Sequence, residues 1–328
     1  MRRDRRLYSY LADIALIGLG LVIFALFHHV IPQGGVHVNN RKPPAAQAPV
    51  YAVTEAPDSE TAVPARQEDA VYAQGDFTPL FESAKASHAE IPDGETRYVS
   101  DHAFIRIRTI ERGGAVIHAA DIYVRNIEDL QTAFARDTYG KGYRYPPLKL
   151  AAEHGAILAV SGDYYGARDK GLVVRNGEIY RTSAFKDVCV IYRDGTMETC
   201  SADSFDGKAA VEKGMWQGWS FGPALLDGEG KALKRFDSDV SGRNPRCGIG
   251  YYEPGHYIFV VVDGRNERSH GATLEEFAAV FEAFGCKAAY NLDGGDSACM
   301  VYGDDIISVP SGGGRSVTDI IFIAEEAE

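Results

Sequence analysis

The chain has 328 residues, 45% of them apolar and 24% charged, with Lys+Arg 34 against Asp+Glu 46 for a formal net charge of −12. These proportions are ordinary for a globular protein and exclude wholesale disorder, a collagen-like repeat and a small disulfide-knotted scaffold. They also argue against a nucleic-acid partner, because a phosphate backbone calls for a cationic face.

Four arginines stand in the first six positions, and residues 7–27 follow with Asp13 as their only charge. Twenty-one helical residues at about 1.5 Å each would span about 31 Å, close to a hydrocarbon core of about 30 Å. No A-x-A cleavage site follows, so an uncleaved anchor is favoured over a signal peptide. The positive-inside rule then sets residues 1–6 in the cytosol. Residues 7–31 read as a single-pass transmembrane anchor, with the C-terminal part outside the cytoplasm at the cell membrane. Residues 32–75 hold six of the fourteen prolines and show no sustained period, which reads as a Pro/Ala-rich flexible linker. Setting aside the four arginines and two aspartates of residues 1–31 leaves 30 positive and 44 negative charges, a net −14. That balance suits solubility and disfavours electrostatic docking onto anionic lipid.

Residues 76–328 suffice for one large domain and carry thirty of the 35 glycines. A helix over 127–136 capped by Asn126 is predicted, then a short helix over 147–154 and a strand over 156–160. Residues 172–181 alternate about Asn176-Gly177, a hairpin signal, and residues 189–200 do so about Asp194-Gly195. Strands follow over 248–252 and 257–262. Thr273 and Glu276 have capping-box spacing; Leu274, Phe277, Phe281 and Phe284 share one helical face, and Gly285 supplies a stop. A buried strand is predicted over 288–292. Many hairpins and few helices indicate an α+β fold: a mixed, largely antiparallel sheet with a few packed helices, preceded by the transmembrane helix and linker.

There are five cysteines, so at least one thiol is free or intermolecular. A two-residue turn at Asp194-Gly195 would set Cys189 opposite Cys200 at a Cα separation of about 5.5 Å, compatible with a disulfide in an oxidising compartment. The alternative is two buried thiols. Cys247, Cys286 and Cys299 are unassigned, and no Cys-x-x-Cys or His/Cys cluster suggests zinc.

Several segments combine glycine, carboxylate and arginine in ways core packing does not demand. They are Ser161-Gly162-Asp163-Tyr164-Tyr165, Ser220-Phe221-Gly222-Pro223, Asn244-Pro245-Arg246, Val262-Asp263-Gly264-Arg265, Asn291-Leu292-Asp293-Gly294-Gly295-Asp296-Ser297 and Gly314-Arg315-Ser316. Asp163, Asp263 and Asp293 each follow an apolar run, and polar groups at strand ends can converge on a cleft. Taken singly, Asp-Gly after a strand is a turn and a lone arginine a solvated group. Asp293 and Asp296 also admit a hard cation such as Ca²⁺; no other cofactor is expected.

In this order the segments resemble the phosphodiester glycosidase family, whose bacterial members are often exopolysaccharide-related. The resemblance covers about residues 95–326. Ser161, Cys247, Asp296 and Cys299 depart from the family's usual residues. It implies hydrolysis of a sugar-1-phosphate diester at the anomeric carbon, in an envelope or exopolysaccharide glycan. Asp163, Asp263 and Asp293 become the candidate catalytic carboxylates. Arg246, Arg265 and Arg315 would grip phosphate oxygens with guanidinium forks. Asn291, Ser297, Tyr164, Gly294 and Gly295 would complete the substrate site. A membrane-tethered wall-glycan-binding module without catalysis is the alternative, and a calcium-dependent adhesion or assembly protein a third reading.

Overall fold

The computed structural model describes residues 17–19, 33–38, 77, 80–81 and 94–324. Apart from a helical turn at 17–19, the expected anchor lies outside the described residues, as does most of the expected linker. Among the described residues no helix is long and apolar enough to cross a membrane.

In chain order the strands are β1 Gln33–His37, β2 Glu95–Val99, β3 Ala103–Arg112, β4 Ala115–Val124, β5 Leu130–Phe134, β6 Thr138–Lys141, β7 Ala156–Ser161, β8 Val173–Arg175 and β9 Glu178–Arg181. Then come β10 Asp187–Tyr192, β11 Met197–Ser201, β12 Met215–Trp219, β13 Arg246–Glu253, β14 His256–Val262, β15 Ala288–Leu292, β16 Met300–Tyr302, β17 Asp305–Ile306 and β18 Asp319–Ala324. The α-helices are α1 Pro147–Glu153, α2 Gly207–Lys213 and α3 Leu274–Phe284. Three sheets run in the orders β15-β13-β14-β4-β3-β2, β11-β10-β12-β8-β9 and β17-β16-β7-β18-β5, and β1 pairs with β6. Every pairing between these strands is antiparallel.

Strand alternation builds one shared core. Ile249 of β13, Phe259 of β14, Ile122 of β4, Val160 of β7, Ile321 of β18 and Ile191 of β10 all belong to it, so each large sheet turns one face inward. The outer faces are covered separately. Helix α3 lays Leu274, Phe277 and Phe281 on the six-stranded sheet, α1 lays Leu150 and Ala151 on β7 and β18, and α2 lays Ala210 beside Val188 and Val190. Gly248 and Gly250 make α3's approach possible. A Cβ on Gly250 would come within 2.7 Å of the Phe281 ring, and one on Gly248 within 2.9 Å of Phe277. Strands β4 and β14, apolar on both faces, read as near-continuous apolar runs for this reason.

The capping box of α3 and its left-handed Gly285 stop form as the sequence predicts. So does the two-residue turn at Asn176 (φ 53°) and Gly177 (φ 81°). The helix expected over 127–136 does not form. One 3₁₀ turn at Ile127–Asp129 leads into β5, whose five residues are buried and pair with β18. The apolar positions Ile127, Leu130 and Phe134 thus divide between that turn and a strand buried on both sides. Residues 33–37, assigned to the linker, instead pair with Thr138–Lys141 through β1.

The expected Cys189–Cys200 bridge is also overturned. The loop between β10 and β11 has three residues: the Tyr192 amide donates to Thr196 O at 2.9 Å and the Gly195 amide to Tyr192 O at 2.9 Å. This moves the register by one, pairing Cys189 with Thr199 and Val188 with Cys200. A one-residue shift sends a side chain to the other face, and Cys189 enters the central core while Cys200 packs on the α2 side. All five cysteines are free thiols. A reductant is therefore expected to leave the thermal midpoint unchanged, and thiol counting after denaturation should find both Cys189 and Cys200 reactive.

Candidate active site

Strands β7 and β18 pair with Ser161 opposite Ile320, so Asp163, just beyond β7, meets Asp319, the first residue of β18. The Asp163 amide donates to Asp319 Oδ1 at 2.7 Å. Gly162 allows this, since a Cβ there would lie 2.5 Å from the same oxygen. The end of β15 laps onto β7: the Asp293 amide donates to Gly162 O at 2.9 Å, and Ser161 Oγ to Asp293 O at 2.9 Å. Two sheets thus deliver three buried carboxylates, on Asp163, Asp293 and Asp319, to one place.

Buried guanidinium offsets part of that charge. Arg175 donates from Nε to Asp319 Oδ2 at 2.8 Å, and its Nη2 lies 3.9 Å from Asp163 Oδ2. Arg168 Nη2 donates to Asp163 Oδ1 at 2.8 Å, whereas Asp163 Oδ2 is buried without a hydrogen-bond partner. Burial pushes the Asp319 carboxyl up to about 7; Arg175 opposes the rise and Asp163 adds to it. Burial likewise raises Asp293, opposed by Ser297 and Arg315 and reinforced by Asp163.

The mouth is built on Asp293-Gly294-Gly295-Asp296-Ser297. Arg315 donates from Nε to Ser297 Oγ at 2.5 Å and from Nη2 to the Asp293 oxygens at 3.2 and 3.3 Å. Its guanidinium lies 5.3 Å from the Tyr164 ring centre, where Arg144 also packs at 5.1 Å and bonds the phenol. Arg265 holds Asp296 Oδ1 at 2.6 Å and Asn244 Oδ1 at 2.7 Å. It does so from a left-handed backbone (φ 58°), a strained conformation for a non-glycine residue. Gly295 donates to Pro245 O at 2.9 Å, and the same oxygen would sit 2.7 Å from a Cβ on Gly294. The Arg265 and Arg315 side chains are 46% and 41% exposed, so these two guanidiniums face solvent.

Other expected site residues are spent elsewhere. Asp263 Oδ2 accepts from His118 Nε2 at 3.0 Å, and Oδ1 accepts the Val309 amide at 2.8 Å. The Arg246 guanidinium donates to Ala272 O at 2.9 Å, Val240 O at 2.8 Å and Gly242 O at 2.5 Å, beneath the 240–242 loop. Arg246 therefore clamps backbone, and burial lowers its pKa to about 10. Asn291 turns with Ala289 to the α3 side and holds Gly222 O at 2.8 Å. Among the described residues no three His, Cys, Asp or Glu side chains gather as metal ligands, and Asp293 and Asp296 each face an arginine.

Sequence reasoning missed Arg168, Arg175 and Asp319. The usable signal was a lone charge set against an apolar strand: Val-Val-Arg in β8 and Asp-Ile-Ile-Phe-Ile in β18. Three of the departures noted above also meet. Cys247 Sγ donates to Ser161 O at 3.3 Å, and the Cys299 thiol bonds backbone at Ser161. They line one buried wall behind Asp293.

Over 198 residues the chain is 27% identical to an uncharacterised SPbeta prophage-derived protein, YomE, of Bacillus subtilis strain 168, covering 57% of this chain but only 30% of that one. The fold is similar to the zebrafish N-acetylglucosamine-1-phosphodiester alpha-N-acetylglucosaminidase catalytic domain auto-inhibited by its pro-peptide (TM-score 0.54, 18% identity, 74% of this chain and 87% of that one). It is also similar to a hypothetical protein from Synechocystis (TM-score 0.53, 14% identity, 72% and 64%). Residues 154–324, which carry Asp163, Asp293, Arg315 and Asp319, match the phosphodiester glycosidase family, and the chain belongs to that family.

Proposed function

We propose that this protein is a hydrolase that cleaves the glycosidic bond of a sugar-1-phosphate diester in an envelope or exopolysaccharide glycan. The observation that carries the reading is the pairing of two buried carboxylates, Asp163 and Asp293, with solvent-facing Arg315 and Arg265 at one mouth. The departing phosphomonoester is a weak base, so it needs charge neutralisation more than protonation. Arg315 and Arg265 supply it with planar forks that match phosphate oxygens. Asp293, whose anion is disfavoured by burial, regains interaction energy as positive charge develops at the anomeric carbon. Asp163 presents its unbonded Oδ2 as the second carboxylate, which takes the proton of water or attacks the anomeric carbon. Ser297 and Tyr164 line the sugar. Asp263, Arg246 and Asn291 act by positioning the loops that carry these groups.

Membrane attachment through residues 7–31 and an extracytoplasmic domain belong to the same proposal. Strand β1 begins at Gln33, two residues beyond that apolar segment, which supports a domain held close to the bilayer. The alternative of a non-catalytic glycan-binding module gives no use to like charges buried together, an arrangement that costs stability. Hydrolysis of a model sugar-1-phosphate diester in ¹⁸O water tests the reading. Label is expected in the sugar. Label in the phosphate would make the protein a phosphodiesterase instead, and binding without turnover would favour the glycan-binding module.

A further inference from the structure

A cavity of about 420 Å³ opens between β6 and the segment after Asp163. Tyr139, Gly140 and Lys141 form one wall, and Tyr165, Gly166 and Arg168 the other. Arg181 reaches in from β9. Its guanidinium is fixed by neutral acceptors alone: Gly171 O at 2.5 Å, Arg168 O at 2.7 Å and Tyr165 O at 3.4 Å. Burial lowers its proton affinity; Tyr139 and Asp163 oppose that fall, and Arg168 and Arg175 add to it. Arg168 is common to cavity and active site. Its Nη2 holds Asp163, while its Nε is buried without a hydrogen-bond partner. Asp169 is the one carboxylate in the lining, and it is ion-paired with Lys141 at the exposed rim. Tyr139 and Tyr165 stack at 5.3 Å between ring centres, giving the cavity an aromatic side.

We propose that this cavity is a second anion subsite, which receives a further anionic group on the aglycone beyond the scissile phosphate. The proposal rests on the glycosidase reading and narrows it: the substrate is a polyanionic glycan, not an isolated sugar phosphodiester. Its volume falls in the range of small-ligand sites and suits a phosphorylated polyol or an acidic sugar residue. Arg168 would sense occupancy and hold Asp163 in the same act.

The test compares three synthetic substrates with the same sugar and scissile phosphate. One has a neutral alkyl aglycone, one bears a second phosphate and one bears a uronate. The wild-type protein is expected to favour the anionic aglycones at least tenfold in kcat/KM, chiefly through KM, and to lose that preference as salt rises. The phosphate and uronate arms show which anion the site takes. Lys141→Glu should cut the preference at least fivefold, whereas Lys231→Glu, at a lysine paired with Glu282 of α3, should leave the ratio intact. Equal kcat/KM for neutral and anionic aglycones, or equal effects of the two lysine variants, would overturn the subsite while leaving the glycosidase reading standing. If nothing is turned over, that reading fails. Equilibrium binding of the same three compounds to Asp293→Asn still decides the subsite, with equal affinities rejecting it.

Discussion

Asp293→Asn is expected to lower kcat by about 10²–10⁴-fold, the range for removal of a positioned carboxylate, with KM changed little. The amide is isosteric and leaves the Arg315 fork available to phosphate. Folding should survive, because burial already disfavours the Asp293 anion. A carboxyl whose proton affinity is raised on folding contributes stability at pH values below its unfolded pKa, and that contribution is lost as pH rises through the folded value. The asparagine variant should therefore show a flatter stability profile across the range where Asp293 ionises. Catalysis carries the complementary signature. If the anion is the active form, the acid limb of the kcat profile reports its ionisation. Arg315→Ala, which removes an opposing positive charge, should move that limb to higher pH as well as raise KM. A variant at residue 293 within tenfold of wild type, or an acid limb unmoved by Arg315→Ala, would remove Asp293 from the chemistry.

How far the sequence foretold this site depends on what each residue's signal was. Asp163 and Asp293 were legible because each follows an apolar strand and precedes or contains a turn. Those are local features, and the strands formed where the pattern placed them. Arg315 was legible only through its motif context. Asp263 and Arg246 carry the same local marks, yet their side chains meet His118, 145 positions away, and the 240–242 loop. Nothing in residue type separates an arginine that faces solvent, as Arg265 and Arg315 do, from one that caps carbonyls, as Arg246 does at the start of β13. Asp319 and Arg175 each show only a lone charge against an apolar strand, and their importance arises from a pairing 144 positions apart. The missed strand β5 and the misplaced Cys189 have a smaller origin. In both, an ambiguity of a residue or two in period or turn length decided the outcome, and tertiary burial resolved it.

Arg175→Met should be the most destabilising single change in the site, by about 3–5 kcal/mol at pH 8, where the Asp319 carboxyl is ionised, the joint cost of removing one partner from a buried ion pair and a donor from buried carbonyls. Arg175 is 2% exposed and Asp319 fully buried, so water cannot replace the lost guanidinium. Two carbonyls, Gly218 O and Val174 O, also lose their donor. The pH dependence has a definite sign. In the wild type the Asp319 carboxyl is pushed up to about 7, above its unfolded value, so the stability it confers is complete below about pH 4 and declines as pH rises through 7. Removing Arg175 deletes the main opposing charge and lifts the folded value further. The defect of Arg175→Met should thus be smaller at pH 5 than at pH 8, read as the shift in urea midpoint at each pH. Asp319→Asn on the Arg175→Met background should recover the pH-dependent part of the loss at pH 8 and little at pH 5. Activity should not return with stability. Asp163 has lost the cation 3.9 Å from its free oxygen, so the double variant would be folded and still slow. A defect under about 1 kcal/mol, or one larger at pH 5 than at pH 8, would show that the pair does not hold the charge of the site.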